Sequence, residues 1–588
     1  MSSEHFDAVV IGSGFGGSVM AYRLAEAGWS VCLLERGKPY PPNSFPRSPH
    51  AMSRNFWDPS EGLYGMFNVW SFRGSGAVVG SGLGGGSLIY ANVLLRKDEA
   101  WFQEEEPEGG YWPWPVQYRD LEPHYERVER MMNAQRYPLA HSPYASTPKT
   151  NAWREVAAAL KNEGVSWVPL NLAVSFRARP VSQPGEDDAQ NPPRIGEPLH
   201  EPEGNLHGMH RQTCRLCGEC DVGCNFGSKN SLDFTYLSRA LRHGAVIRSL
   251  CEAKTIRPGP AGSADGYIVE YVEHDPTRIT RKKPHISDPA LLELKTLTCK
   301  RLILAAGTFG STYLLFKNRS SLPGISAALG SRFSVNGDLL SFMVNAHRTQ
   351  AGVKLPRPLD PSFGPVITGA LRFGDALDGK GDAGRGFYVE DGGNPALASW
   401  AAEASGLGGY LRRLVHFVSL NLRYRLGLGL DTDLSAEIAA ILGDAATSHS
   451  SLPLLTMGRD QPTGRLSFDG RYLECDWRER ESRQYYDRVD RELRKVADIL
   501  GATYADNPSL RWNFHQVLTA HPLGGCPMAE SDQRGVVDSY GNVFGHPGLL
   551  VADGSILPGP VGANPSLTIA AVADRAADRL INEQTGRP

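Results

Sequence analysis

The chain has 588 residues, of which 41% are hydrophobic and 21% charged, and its net charge is −3. That balance is typical of a globular protein able to bury a large core, and it excludes the basic footprint of a nucleic-acid binder. No run of about 18 uncharged apolar residues predicts a membrane-spanning helix, and Met1–His5 lacks the features of a cleavable leader, so the chain reads as cytoplasmic. The nine cysteines are an odd number, and without a secretion signal they argue against a disulfide framework. Length alone suggests about four domains, but no long low-complexity linker divides the chain, so fewer, interleaved domains are expected.

Phe6–Ile11 is a short apolar run with buried-strand character. Gly12-Ser13-Gly14-Phe15-Gly16-Gly17 follows at once, then a predicted helix over Ser18–Ala27 and a second apolar run, Val31–Leu34, closed by Glu35. This is a dinucleotide fingerprint. Gly12 permits the tight turn, Gly14 lets backbone approach a pyrophosphate, and Gly17 lets the helix pack close to the strand. The helix N-terminus offers unpaired N–H groups to phosphate, and Glu35 stands where an acid accepts from ribose hydroxyls.

A second glycine cluster, Gly80–Ser87, contains Gly85, Gly86 and Ser87 and can bring backbone N–H groups close to a flat anionic ligand. Asp120–Glu126 reads as a short acidic-aromatic helix, and the polar, Pro-rich stretch 184–202 as a surface loop or lid. Cys214, Cys217, Cys220 and Cys224 follow at the spacing of an iron–sulfur loop, with Asn225 where proline usually comes next. Zinc and a tight loop of buried free thiols are the competing readings.

Arg301–Thr308 reads as a buried strand ending in a glycine turn, with a helix from Ser311. The nucleotide sheet therefore draws on distant parts of the chain. Tyr410–Leu430 mixes apolar residues with Arg412, Arg413, Arg423 and Arg425. Such a helix can touch a membrane surface or pack on its own domain. Near the C-terminus, His521-Pro522-Leu523-Gly524-Gly525-Cys526 precedes a strand ending at Asp553-Gly554. Gly562-Ala563-Asn564-Pro565 then opens a helix running to Leu580. That helix's N-terminus can face a flavin ring, Asp553 can hold ribityl or phosphate groups, and Asn564 is a polar companion for His521. The fingerprint alone does not separate NAD from FAD. Its place at the start of a long chain, with further pieces of the site recurring later, suits FAD.

In this order, the Gly12–Gly17 fingerprint with Glu35, the Gly80–Ser87 cluster, Ala305-Ala306-Gly307-Thr308 and the His521…Asp553…Asn564-Pro565 tail resemble the glucose–methanol–choline (GMC) family of FAD oxidoreductases, its cholesterol-oxidase-like branch most closely. The resemblance runs from residue 6 to about residue 580. It implies an α/β fold in which a Rossmann-like FAD domain is built from residues 1–100, 210–315 and 535–588. An α+β substrate domain on an antiparallel sheet takes residues 101–209 and 316–534. It implies FAD, with His521 and Asn564 facing both flavin and substrate hydroxyl, and oxidation of an apolar alcohol such as a sterol; the Gly12–Glu35 unit and a Gly80–Ser87 loop without histidine point to FAD held non-covalently. Oxygen, a quinone or a protein carrier accepts the electrons. Related sugar dehydrogenases of the family hold a three-iron cluster on cysteines resembling Cys214, Cys220 and Cys224.

Cholesterol oxidases also isomerise a double bond with a glutamate. Gly364–Ala370 contains none, so no residue of this chain is assigned that role. Two rival functions are a polar-alcohol dehydrogenase relaying electrons through an iron–sulfur cluster, and a non-catalytic flavin carrier or redox sensor. The paired His521 and Asn564 argue against the carrier, which needs neither.

Overall fold

The computed structural model describes residues 4–105, 110–260, 266–277, 292–379, 384–395, 446–506 and 517–586. The basic stretch Tyr410–Leu430 lies outside them. Among the described residues no helix is long and apolar enough to cross a membrane.

The fingerprint strand Glu4–Ile11 sits at the centre of a seven-stranded sheet. On one side it pairs in parallel with Val31–Leu34, which pairs with Val246–Arg248. On the other it pairs in parallel with Lys295–Leu304, Val10 standing opposite Ile303. The far end of that strand takes Leu549–Val551 in parallel, and its near end takes the antiparallel pair Tyr267–Glu273 and Cys251–Pro258. Where the parallel strands meet, Ala8–Ile11, Val31–Leu34, Leu302–Leu304 and Leu549–Val551 are apolar and buried throughout, because both sheet faces are covered there. Helix Phe15–Glu26 packs on the C-terminal helix Ser566–Thr585, which also packs on helix Tyr118–Met131. Arg23 and Arg127 both bond Asp574 and Asp578, and His124 Nδ1 lies 2.6 Å from Asp574. The acidic-aromatic segment expected near residue 120 is this helix, and its charges tie the three helices together.

A second sheet of six antiparallel strands runs in the order Ser166–Pro169, Gly369–Phe373, Phe387–Asp391, Leu452–Gly458, Leu339–Val344 and Thr503–Ala505. Helix Arg483–Leu500 covers it with a stripe of Tyr485, Val489, Leu493, Val496 and Leu500, the spacing of one helical face. The chain thus contains the Rossmann-like sheet from discontinuous segments and the antiparallel sheet that were expected. Two small sheets join segments assigned to different domains in the sequence reading. Val517–Thr519 pairs in parallel with Ser75–Gly80, and Asn171–Leu172 bridges Val93–Leu94 and Gln135–Arg136. The first of these delivers His521, two residues past its end, to the glycine-rich region.

Two helix starts differ from expectation. The first helix begins at Phe15 rather than Ser18, and the helix after the second glycine turn begins at Gly307 rather than Ser311. Gly16 and Gly17 lie inside the first turn because no side chain fits there. A Cβ on Gly16 would stand 1.6 Å from the Ala552 carbonyl oxygen, and one on Gly17 2.0 Å from that of Gly12.

Candidate active site

A single cavity of about 660 Å³ extends from the Gly12–Gly16 turn past Gly85 and Gly86 to His521 and Asn564. That size is in the range of ligand and cofactor sites. Gly12 turns the chain at φ +104°, and any Cβ there would meet the Ala305 carbonyl oxygen at 2.3 Å. By contrast, a Cβ on Gly14, Gly86 or Gly307 would meet nothing within 4 Å, so these backbones face open space. Helix Phe15–Glu26 has Gly14 as its N-cap and no side-chain cap, which leaves first-turn N–H groups to a ligand. The C-terminal helix likewise begins after Pro565 without a side-chain cap, and Pro565 and Gly554 lie on the cavity wall. Bare glycine backbone, two uncapped helix starts and an acid after the second strand fit FAD.

Several sequence-singled residues act one layer back. Glu35 lies on the wall, but its carboxylate accepts from Ser13 N (3.0 Å), Ser13 Oγ (2.6 Å) and Gly37 N (2.8 Å), so it also braces the fingerprint turn. Ser87 donates to the Gly84 carbonyl at 2.7 Å and accepts from Leu232 N at 3.0 Å, which fixes the glycine cluster from behind. Asp553 accepts from Gly307 N and Ser311 Oγ with one oxygen and from Ser555 N and Oγ with the other. Its carboxylate joins the start of helix Gly307–Lys317 to the last strand of the sheet, and burial pushes its pKa up. Gly17 packs helix against turn, as its spacing implied.

The one histidine on the described cavity wall is His521. Its Nδ1 lies 2.9 and 3.0 Å from the oxygens of buried Asp338. Asp338 also accepts from Thr519 Oγ1 (2.7 Å) and Ala520 N (2.9 Å), so the carboxylate itself is held fast. With Nδ1 engaged, Nε2 is the nitrogen left for chemistry. Sequence reading missed Asp338. It stands 183 residues from His521, and its Asn-Gly-Asp setting reads as an ordinary turn.

Asn564 lies on the same cavity wall as His521, and among the described residues the two share no hydrogen bond. Asn564 Nδ2 donates to Glu390 Oε2 at 3.4 Å, while its Oδ1 and Glu390 Oε1 are buried with no partner among the described residues. Burial pushes the Glu390 carboxyl well above the usual carboxylate range, against the pull of Asn564. In strand pairing Glu390 stands opposite Ala370, the last residue of the glutamate-free stretch Gly364–Ala370. Around this end the cavity is lined by Leu340, Val366, Ile367, Pro453, Leu454 and Leu455.

All four clustered cysteines line one small separate cavity of about 20 Å³. Leu216 N donates to Cys214 Sγ at 3.4 Å. Burial pushes the Cys217 thiol up to about 12 and raises Cys214 and Cys220 as well, so these are protonated thiols until something displaces the protons. Asp221 and Val222, directly after Cys220, lie on the wall of the large cavity. Buried Lys229 Nζ sits between the two cavities, donating to the carbonyls of Cys220 (2.7 Å), Leu88 (2.9 Å) and Tyr90 (3.0 Å). Among the described residues, the set of three ligand atoms lying within 4.8 Å of one another is His124, Asp574 and Asp578, not a set of these sulfurs. A single zinc ion gathers its ligands that tightly, whereas an iron–sulfur core holds its thiolates further apart.

Residues 461–573 match the family model described as GMC oxidoreductase, and residues 10–39 match that of an NAD(P)-binding Rossmann-like domain. The chain is 29% identical to a cholesterol oxidase of Mycobacterium tuberculosis over 598 aligned positions, covering 98% of this chain and 91% of that protein. It is 23% identical to a long-chain-alcohol oxidase of Arabidopsis thaliana, covering 98% of this chain and 68% of that one. The crystal structure of pyridoxine 4-oxidase from Mesorbium loti superposes with a TM-score of 0.54 at 15% identity, covering 97% and 98% of the two chains, which is a likeness of fold.

Proposed function

Because the chain belongs to the GMC oxidoreductases, in their cholesterol-oxidase-like branch, and is an FAD-dependent enzyme acting on alcohols, we propose that its substrate is a sterol or another apolar alcohol. The observation that carries this reading is the pairing of His521 with Asp338 on one cavity wall beside a patch of aliphatic side chains. FAD bound in that cavity supplies the acceptor for the hydride leaving the carbinol carbon. His521 Nε2 takes the hydroxyl proton, and Asp338 fixes the tautomer and stabilises the imidazolium that forms. Asn564, tied at one end to Glu390, orients the substrate oxygen with its free end without adding charge. Leu340, Leu454 and their neighbours exclude water from an apolar substrate and offer a sugar no hydrogen bonds. The curated relatives' names support oxygen as the acceptor.

Anaerobic mixing tests the substrate class. A sterol or long-chain alcohol bleaches the flavin absorbance and glucose leaves it unchanged. Bleaching by glucose alone would overturn the apolar reading, and bleaching by no alcohol would return the chain to a carrier or sensor. Glu390 supports a further proton shift on a sterol double bond. With cholesterol the product is then the conjugated enone, and Glu390→Gln stops at the unconjugated ketone.

FAD is held without a covalent bond. The Gly80–Ser87 loop contains no histidine, and the wall histidine His521 is held by Asp338. Acid precipitation leaves the yellow colour in the supernatant; a yellow pellet contradicts this.

The cysteine cavity supports an iron–sulfur cluster held by Cys214, Cys217, Cys220 and Cys224. Such a cluster supplies one-electron steps to an external carrier. The specific observation behind it is that all four cysteines line one cavity, with Lys229, whose pKa burial lowers to about 8, bonded beside it to the Cys220 carbonyl.

A further inference from the structure

Asp338 ends a buried five-residue segment, Ser334–Asp338, that leads into the central strand Leu339–Val344. Two residues before it, Asn336 is fully buried and adopts φ +59°, a left-handed conformation that asparagine tolerates better than most side chains. Its side-chain amide grips the turn that carries Asn564. Gly562 N donates to Asn336 Oδ1 at 2.9 Å, and Asn336 Nδ2 donates to the Ala563 carbonyl at 2.9 Å. Both ends of the amide are thus matched to backbone immediately before Asn564, much as a neighbouring strand would be.

The grip is itself anchored. Asn336 N donates to Ser334 Oγ, and Ser334 Oγ donates to Asp460 at 2.6 Å. Gly458 N donates to the Asn336 carbonyl at 3.1 Å, and Tyr485 Oη donates to the Gly337 carbonyl at 2.8 Å. Ser334 also pairs with Leu523, two residues past His521. The segment therefore touches the histidine loop at Asp338 and Ser334, and the asparagine turn at Asn336. His521 and Asn564 are 43 positions apart in the chain and share no bond with each other among the described residues. Besides the backbone pairing of Gly524, Cys526 and Met528 with Gly554, Ser555 and Ile556, these five residues are a second tie between the two loops, and the one that reaches the turn immediately before Asn564.

We propose that Asn336 is a positioning residue for the oxidation, acting through Asn564, so that Ser334–Asp338 sets the spacing between the proton acceptor and the group that orients the substrate oxygen. The two side chains must meet one hydroxyl together, and a displacement near 1 Å is enough to cost about 100-fold in rate. This rests on the proposed roles of His521 and Asn564, and the test separates the two ideas.

Two variants keep the backbone conformation accessible. Asn336→Gly removes both bonds and accepts the positive φ. Asn336→Asp keeps the acceptor for Gly562 N but opposes a carboxylate to the Ala563 carbonyl. With cholesterol or a long-chain alcohol as substrate, Asn336→Gly lowers kcat about 10- to 100-fold with KM and bound FAD little changed. In an Asn564→Ala background the same change costs less than about twofold, because the residue it acts through is already gone. Equal losses in both backgrounds would show that Asn336 acts elsewhere and would overturn the proposal. The second readout needs no substrate. By hydrogen exchange, the peptide spanning residues 558–566 exchanges faster in Asn336→Gly, and less so in Asn336→Asp, while the strand peptide 339–344 is unchanged. Unchanged exchange at 558–566 refutes the grip. Faster exchange with no alcohol turned over by the wild type instead refutes the alcohol reading and leaves the grip standing.

Discussion

His521→Ala lowers kcat by about 10²–10⁴-fold, the range expected when a positioned general base is lost. FAD remains bound, since among the described residues the imidazole bonds Asp338 and none of the Gly12–Gly17 backbone. Asp338→Asn falls between wild type and His521→Ala. It keeps a hydrogen-bonding partner at Nδ1 but removes the charge that steadies the protonated ring, and it disturbs the bonds from Thr519 and Ala520. Steady-state turnover, with flavin content read from the visible spectrum, decides the matter. Near-normal turnover in His521→Ala would remove the histidine from the mechanism.

Cys220→Ser abolishes iron binding if the four thiols hold a cluster. Cys220 is the central member of the set, its backbone carbonyl is bonded to Lys229, and the next two residues form part of the large cavity's wall. Wild-type protein purified without oxygen carries iron and inorganic sulfide and shows broad visible absorbance beneath the flavin bands. The variant shows neither, loses turnover with one-electron acceptors, and still consumes one equivalent of alcohol anaerobically. Wild type that is iron-free and fully active with every acceptor would leave four thiols, one buried and three half-buried, with packing as their only role.

What could be read from the chain depended on how local the physics is. The fingerprint, the second glycine cluster and the tail are short segments in which neighbouring residues specify their own turn. Each of them meets the large cavity. The helix starts were displaced because glycine density reads as loop, while the real constraint at Gly16 and Gly17 is approach by backbone from Ala552 and from Gly12. Asp338 and Glu390 were invisible for another reason. Each partners a side chain more than 170 positions away, and nothing local marks an acid as belonging to a distant histidine or asparagine. A signal for Glu390 did exist. Phe387–Asp391 is buried at all five positions, and two acids at the end of such a strand need partners. Glu35, Ser87 and Asp553 were found as residue types in the right places, yet motif spacing could not show that their hydrogen bonds go largely to the protein's own turns.

The order in which the central sheet is assembled has a consequence for biosynthesis. Its middle strand, Glu4–Ile11, is translated well before Leu549–Val551, Asp553 and the helix that covers the first helix. The entire antiparallel sheet is translated in between. Until then, the nascent chain holds a nucleotide-binding half whose turns lack their closing strand and whose first helix lacks its cover. Flavin capture is thereby deferred until that strand and that helix have been made. Any message truncated upstream of residue 549 yields a product unable to retain the cofactor, however well its earlier segments fold.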